Sequence, residues 1–481
     1  MNNIKSKAIK GIVWSLLDQI INKLGYLILY IYLARVLTPS DFGLIAMLSI
    51  FLAISQSIID SGFSHALIQK SSNATESDFS TVFYTNMFVS LSLYAILYIT
   101  APFVSEFYNT PELTMLSRVL FLVIIINAIS IVPRSKLLID IDFKSQSLIN
   151  TAATLGSIAV TVYMISDNLG YWSLVGMTLS KAFFTSALLF FYANWFPKEK
   201  FSKKSFKVLF SFGSKLLVAG LVSTTINNLY LILIGRYFNP TQVGYFQQGY
   251  NYTNILSGIL STVIQGVTYP VMTSIQEDKE KLVKLYIRVM GAVTLVTFPI
   301  FFGFAAVSKE FVLIFLGEQW IPIIPILMIL SFARLITPIS SLNLNILKAR
   351  GRSDLYLKTD LSKLPMIIIA LFISIPYGII AVAYAQLTTT IISFFINAYY
   401  PGKLFGFGAQ EQLKQIFPIL VASLFMYGCM TLINIESLEL QMILKLLVGF
   451  SSYLLACQFL RIDAFFEIKQ LLLQKLKGLI K

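Results

Sequence analysis

Charge is what this 481-residue chain has least of. Only 12% of its residues are Asp, Glu, Lys or Arg, about half of the roughly 25% with which a soluble domain covers its surface. With 56% hydrophobic residues and a mean hydropathy of +0.76, its outer face is expected to meet lipid. Histidine is nearly absent, and a single His65 excludes His-based metal or triad chemistry almost by counting. At the end of the second apolar run, beside the polar stretch 69–80, its default role is a solvated interfacial one. The two cysteines, Cys429 and Cys457, both lie inside apolar runs, which leaves no disulfide framework and no metal-ligand spacing. No small-residue cleavage site follows the long apolar run behind Lys5, Lys7 and Lys10, so no signal peptide is expected to leave.

Apolar length is what the chain has in abundance. Stretches of about 20 mostly apolar residues, enough to cross a bilayer, recur near 12–33, 44–68, 82–105, 117–139, 148–166, 172–194 and 208–233. They continue near 244–272, 285–307, 321–347, 356–375, 377–400, 415–434 and 438–460. The division at Pro376-Tyr377-Gly378 is among the least distinct. The pattern predicts an all-α polytopic membrane protein of about fourteen transmembrane helices.

The net charge of +14 would suit nucleic acid if it gathered on one domain, but it is spread over short loops. With the N-terminus in the cytoplasm, 28 of the 37 Lys and Arg fall on cytoplasmic segments. Four (Arg35, Arg118, Arg236 and Lys309) fall on the opposite side, and five lie inside spans. This is the asymmetry of the positive-inside rule, and it places both termini in the cytoplasm. The opposite loops are short, with Asp41, Glu106, Glu112, Asp167, Glu310, Glu318, Glu436 and Glu439 scattered among them. A membrane glycosyltransferase or ligase should carry catalytic carboxylates or a domain there, and neither is evident.

An internal repeat divides the chain. Residues 33–44, LARVLTPSDFGL, align with 234–245, IGRYFNPTQVGY, so that Arg35 matches Arg236, Pro39 matches Pro240, Ser40 matches Thr241 and Gly43 matches Gly244. Each segment closes the first span of a half and opens the second, on the same side. The expected organisation is a six-helix lobe at 1–194, a basic linker at 195–207 and a pseudo-symmetric six-helix lobe at 208–400. Two extra helices and a basic tail follow at 401–481, with no evident part in a cavity. Parallel repeats of this kind are a transporter plan, with the substrate path between the halves.

The opening stretch KAIKGIVWSLLDQIINKLGYLILYIYLARVLTPSDFGLIAMLSIF resembles the polysaccharide flippases of the multidrug/oligosaccharidyl-lipid/polysaccharide exporter superfamily. Residues 132–147, VPRSKLLIDIDFKSQS, resemble the subgroup that exports colanic-acid-like repeat units. The resemblance implies a bacterial inner-membrane protein with two six-helix lobes and alternating access. Its expected substrate is an undecaprenyl-diphosphate-linked oligosaccharide, carried from the cytoplasmic to the outer leaflet without covalent chemistry. Bilayer lipids, a polysaccharide polymerase and glycosyltransferases are the expected partners, and nucleic acid is not. The alternative within transport is a cation-coupled multidrug or small-molecule exporter, whose cavity would be smaller, more apolar and dominated by carboxylates.

Polar groups inside spans are costly and normally face a cavity or a partner. The first span holds Ser15, Asp18, Gln19, Asn22 and Lys23 at helical steps of three and four. The second adds Gln56 and Asp60. No cofactor is expected. Asp18 and Asp60 are the candidate groups for coupling to H+ or Na+, with pairing to Lys23 as the structural alternative. Gln247, Asn251, Asn254, Gly258, Ser261 and Gln265 form one continuous stripe, with Gln248 beside it. The stripe must line a wet cavity or a helix interface, and its length favours a cavity. Ser223, Thr224, Asn227 and Asn228 lie at comparable depth. Lys23, Lys181 and Arg334 fall near mid-span, where a diphosphate would need cations, and arginine offers the forked geometry. Lys215 is expected to snorkel, Arg35 and Arg236 to cap helix C-termini, and Lys445 to play no part in the cavity.

Overall fold

Apolar runs bounded by helix stop signals become helices throughout. The computed structural model describes residues 2–60, 62–70, 73–275, 278–350 and 352–479. It begins with α1 (Asn2–Val36), α2 (Pro39–Asp60), α3 (Phe63–Gln69), α4 (Glu76–Tyr108) and α5 (Leu113–Leu120). Next come α6 (Leu122–Ile139), α7 (Phe143–Ser166), α8 (Trp172–Ala193), α9 (Lys203–Tyr237) and α10 (Pro240–Ser274). The rest is α11 (Lys279–Ala306), α12 (Ser308–Phe311), α13 (Ile323–Ala349), α14 (Ser353–Ser362), α15 (Leu364–Ser374), α16 (Ile379–Phe405), α17 (Ala409–Thr431), α18 (Leu438–Phe459) and α19 (Asp463–Leu479). No strand occurs among the described residues.

Eleven stretches among the described residues are long and apolar enough to cross a bilayer by themselves. The other three expected spans fall on α1, α9 and α10, each 35 residues long and so about 52 Å at 1.5 Å per residue. The indistinct division near 376 is a 3-10 turn, Ile375–Tyr377, followed by Gly378 at φ 93. That backbone conformation favours glycine. Large apolar side chains such as Phe191, 83% exposed, and Phe459, 88% exposed, point outward, as they do where the solvent is lipid.

The repeated motif is a helix cap. Pro39 opens α2, where its missing N–H has no partner to lose. The Asp41 carboxylate accepts from the Thr38 N–H and hydroxyl, both at 2.8 Å, and the Asp41 N–H donates back to Thr38 Oγ1 at 3.4 Å. This is a reciprocal capping box. At the second copy Pro240 opens α10, and Asn239 Oδ1 accepts from the Gln242 N–H at 2.9 Å. The two caps also meet. A β-carbon added at Gly43 would overlap the carbonyl oxygen of Pro240, and one added at Gly244 would overlap that of Pro39. The contact is reciprocal, as across a two-fold axis, and needs a bare backbone at both positions.

Packing divides the chain into two compact units, Met1–Gln247 and Gln248–Lys481, whereas the lobes expected from topology meet at the linker 195–207. In the first unit α9 packs along α2 and against α3 and α4, α7 lies on α1 and α8, and α6 lies on α4 and α8. The basic linker is held in place rather than loose. The buried Trp195 donates its indole N–H to Glu76 Oε1 at 2.5 Å, the Ser202 N–H donates to Thr81 Oγ1 at 3.0 Å, and the Glu199 N–H donates to Ser80 Oγ at 3.3 Å. The stretch 132–147 forms the end of α6, the turn and the start of α7. There Asp142 caps α7 by accepting from the Ser145 N–H at 3.1 Å. Burial pushes the Asp142 carboxyl up, but hydrogen bonds from Ser145 and Tyr192 outweigh it and hold the group below the usual carboxylate range.

The second unit builds its core from α11, α13, α17 and α18, with Tyr286, Phe301, Leu342, Ile346, Ile419 and Cys457 in one buried cluster. Gln412 Nε2 donates to Asn343 Oδ1 at 2.8 Å and to the Tyr286 hydroxyl at 3.1 Å, and that hydroxyl also bonds Asn343. The network ties α11, α13 and α17 together. The helices of 401–481 are therefore not an appendage but part of this core.

One expectation about charge is corrected here. Glu310, grouped by sequence with scattered loop carboxylates, is fully buried at the end of α11 in the single turn α12. Lys445, expected to play no part in a cavity, is its partner, with Nζ 2.7 Å from Glu310 Oε1 and 3.2 Å from the Ala306 carbonyl. Gln441 Nε2 donates to the same carboxylate oxygen at 2.7 Å. Desolvation makes either charge untenable alone, so the pair locks α18 against α12.

Candidate functional site

In the first unit, helical spacing puts Asp18 and Asn22 one turn apart on α1, and α7 brings a second polar turn against them. Asp18 Oδ1 accepts from Asn22 Nδ2 at 2.6 Å, and Asp18 Oδ2 accepts from Asn150 Nδ2 at 3.1 Å. The Thr154 hydroxyl donates to Asn22 Oδ1 at 2.5 Å. Lys181 and Arg134 lie within electrostatic range of the carboxylate. Lys181 Nζ sits 4.2 Å from the centroid of the Tyr26 ring, a cation–π contact. The half-buried Lys23 points elsewhere, because five residues along a helix turn it about 140° from Asp18. Among the described residues no ion pair joins Lys23 to Asp18, so the expected alternative of a mutual pair is not what forms. Gln56 of α2 accepts from Asn127 Nδ2 of α6 at 2.9 Å.

In the second unit α10 sorts its polar groups by face. Gln248, Tyr252, Thr253 and Ser257 are buried, whereas Gln247, Asn251, Gly258 and Ser261 are half-buried and Asn254 is exposed. The long stripe is therefore the open face of the helix, not its packed one. Asn251 Nδ2 donates to Gln248 Oε1 at 3.3 Å, and Gln248 Nε2 is buried without a hydrogen bond. Arg334, near the middle of α13, stacks its guanidinium 4.6 Å from the centroid of the Tyr250 ring. Its Nη2 is buried and makes no hydrogen bond. A forked cation held by a ring, with a donor left over, is chemically suited to an anionic oxygen.

The structure thus joins Asp18, Asn22 and Lys181 in one neighbourhood, and Arg334 with the turn of α10 that carries Gln248 to Asn251. The side chains of Ser15, Gln19, Asp60, His65, Lys215, Asn227 and Gln265 lie outside the described part. Sequence reasoning missed Asn150, Thr154, Tyr26, Asn127 and Tyr250. The i,i+4 pair Asn150 and Thr154 was a usable signal for a polar face on α7, whereas nothing local marks Tyr26 or Tyr250.

The second unit also carries an open apolar groove of ≈ 1030 Å³, lined by residues such as Leu256, Pro299, Phe304, Met430, Phe450 and Leu455. Those six side chains come from four helices, α10, α11, α17 and α18, with Phe465 and Ile468 of α19 completing the wall. No cluster of ligating side chains fit for a metal occurs among the described residues.

Comparison with known proteins agrees with this architecture. The family described as "Polysaccharide biosynthesis protein" matches residues 32–325. Teichuronic acid biosynthesis protein TuaB of Bacillus subtilis is 25% identical over 486 aligned residues, covering 99% of each chain. Lipopolysaccharide biosynthesis protein WzxC of Escherichia coli is 25% identical over 408 residues, 82% of this chain and 81% of its own. Among solved structures, the lipid II flippase MurJ in an inward closed conformation matches with a TM-score of 0.75 at 16% identity, over 94% of this chain and 99% of that one. This likeness shows a shared fold. With more than half of its length matched, the chain belongs to the polysaccharide biosynthesis protein family.

Proposed function

We propose that this protein is a flippase. It carries an undecaprenyl-diphosphate-linked oligosaccharide from the cytoplasmic to the outer leaflet of a bacterial inner membrane, for assembly of a surface polysaccharide. The observation that carries this reading is Arg334, a mid-helix guanidinium stacked on Tyr250 with Nη2 buried and unbonded. A diphosphate supplies the acceptor that this donor lacks, and water-exposed phosphate oxygens make strong bonds to such a fork. Amides on the open face of α10 offer donors and acceptors to sugar hydroxyls. The apolar groove of the second unit matches the needs of a polyprenyl tail, which must stay in an oily environment while its headgroup crosses. Relatives named for teichuronic acid and lipopolysaccharide biosynthesis support the substrate class.

The loop charges support an orientation with both termini in the cytoplasm. The repeat supports alternating access by two six-helix lobes, 1–194 and 208–400, in which a ligand shifts populations only through its differential affinity. Coupling to H+ or Na+ through Asp18 or Asp60 is part of the proposal. A polymerase and glycosyltransferases would act on either side of the transport step. Deleting the gene is expected to abolish the surface polysaccharide and to accumulate the lipid-linked intermediate on the cytoplasmic leaflet. Wild-type protein restores export; Arg334→Gln, inserted at the same level, does not. Full export by Arg334→Gln removes that residue from the site, and a deletion strain with normal polysaccharide rejects the flippase assignment.

A further inference from the structure

A second, smaller cavity lies between α14 and the last turns of α16. It measures ≈ 380 Å³ and is lined by Lys358, Thr359, Ser362, Phe395, Tyr399 and Tyr400, among others. We propose that it is a binding site for an anionic phospholipid of the surrounding bilayer, with the headgroup phosphate at Lys358 and the first methylenes on Phe395 and Tyr399.

Charge is the first support. Helix α14 has two carboxylates, and both are taken: Asp360 pairs with Lys363 at 2.7 Å and Asp354 with Arg352 at 2.9 Å. Lys358, on the same helix and exposed, has no ion-pair partner among the described residues. The cavity therefore keeps one uncompensated positive charge. Thr359 and Ser362 turn their hydroxyls inward to the Leu355 and Thr359 carbonyls, at 2.7 and 2.8 Å, so Lys358 is the group that would bond a ligand.

Depth is the second support. Lys358 stands roughly 8 Å along α14 from Ser353, and Tyr399 roughly 9 Å from the end of α16, at 1.5 Å per residue. Both thus lie one to two turns from the ends of helices long and apolar enough to cross a bilayer, and near such ends lysine can snorkel to phosphates and tyrosine prefers to sit. The flanks are apolar and open, with Leu357 45%, Phe395 48% and Tyr399 61% exposed. A cavity of this size beside such a surface suits a resident lipid headgroup, whereas the larger groove of the same unit is separate and lined by other residues.

The test is native mass spectrometry of the purified full-length protein with added phosphatidylglycerol or phosphatidylcholine. Wild type is expected to retain phosphatidylglycerol several-fold more than phosphatidylcholine. Lys358→Gln should remove that preference, and Lys358→Arg should keep it. Tyr399→Ser should weaken retention of both lipids while leaving the preference. Equal retention of the two lipids by wild type, or an unchanged preference in Lys358→Gln, overturns the proposal. So does displacement of phosphatidylglycerol by stoichiometric undecaprenyl phosphate, which would assign the cavity to the transported lipid instead. Because the readout is lipid retention, it can fail while the flippase assignment stands, and the reverse.

Discussion

Lys445 and Arg334 are both cations inside membrane helices of the second unit, yet their surroundings are opposite. Lys445 is matched with the fully buried Glu310, whose same oxygen Gln441 also holds, and with the Ala306 carbonyl. Arg334 has a ring for its face and a buried nitrogen with no hydrogen bond. A charge held at contact distance by its counter-ion holds structure together, since a ligand would have to displace that partner, although Glu310 Oε2 is itself buried without a hydrogen bond. A charge with a donor left over can still bind. The Asp18 neighbourhood of the first unit lies between these extremes, hydrogen-bonded through amides and with cations in electrostatic range.

The contrast can be broken from either end. The largest effect is expected at Glu310. Glu310→Gln leaves Lys445 charged, buried and without its counter-ion, which should cost about 3–5 kcal/mol of stability. It would be read as a large fall in the melting temperature of the detergent-solubilised protein. The double variant with Lys445→Met should recover most of the loss. A stable single variant with lost export would instead move the pair into the transport machinery.

At Arg334 the expectation is inverted. Arg334→Met should leave the melting temperature close to wild type, because no hydrogen bond of the unbonded Nη2 is lost. It should weaken binding of a diphosphate lipid by about 1.5–3 kcal/mol, the worth of hydrogen bonds to a charged group, which is roughly 10- to 100-fold. Titration with undecaprenyl diphosphate in detergent measures it. A destabilised Arg334→Met with normal affinity would put Arg334 in the same class as Lys445.

The smallest effect is expected at Asn150. Asn150→Ala removes one donor to Asp18 and should cost about 1 kcal/mol, read as a small drop in thermal stability with export retained. Export that disappears at unchanged stability would join the Asp18 network to the substrate path.

The helix caps at Thr38 to Asp41 and Asn239 to Gln242 were legible because every bond in them closes within one turn. The membrane class was legible because lipid imposes its demand on composition, residue by residue. The open face of α10 was half legible. Its periodicity forced a common face, but only burial at Gln248, Tyr252, Thr253 and Ser257 decided that the stripe faces away from the packing.

The sequence by itself determined that this chain is a helical membrane protein with a repeated proline cap, because hydropathy and capping act over a single span or a single turn. Only the tertiary structure decided which polar groups inside the spans are complete. Lys445 meets Glu310 across 135 residues, Asn150 meets Asp18 across 132, and Gly43 meets Pro240 at the second copy of the motif. Such contacts are set by how helices pack side by side, and nothing in the local sequence records which helix will be the neighbour. That is why the partner of Lys445 could not be named from sequence, while Arg334 read as a candidate and keeps a buried donor unbonded.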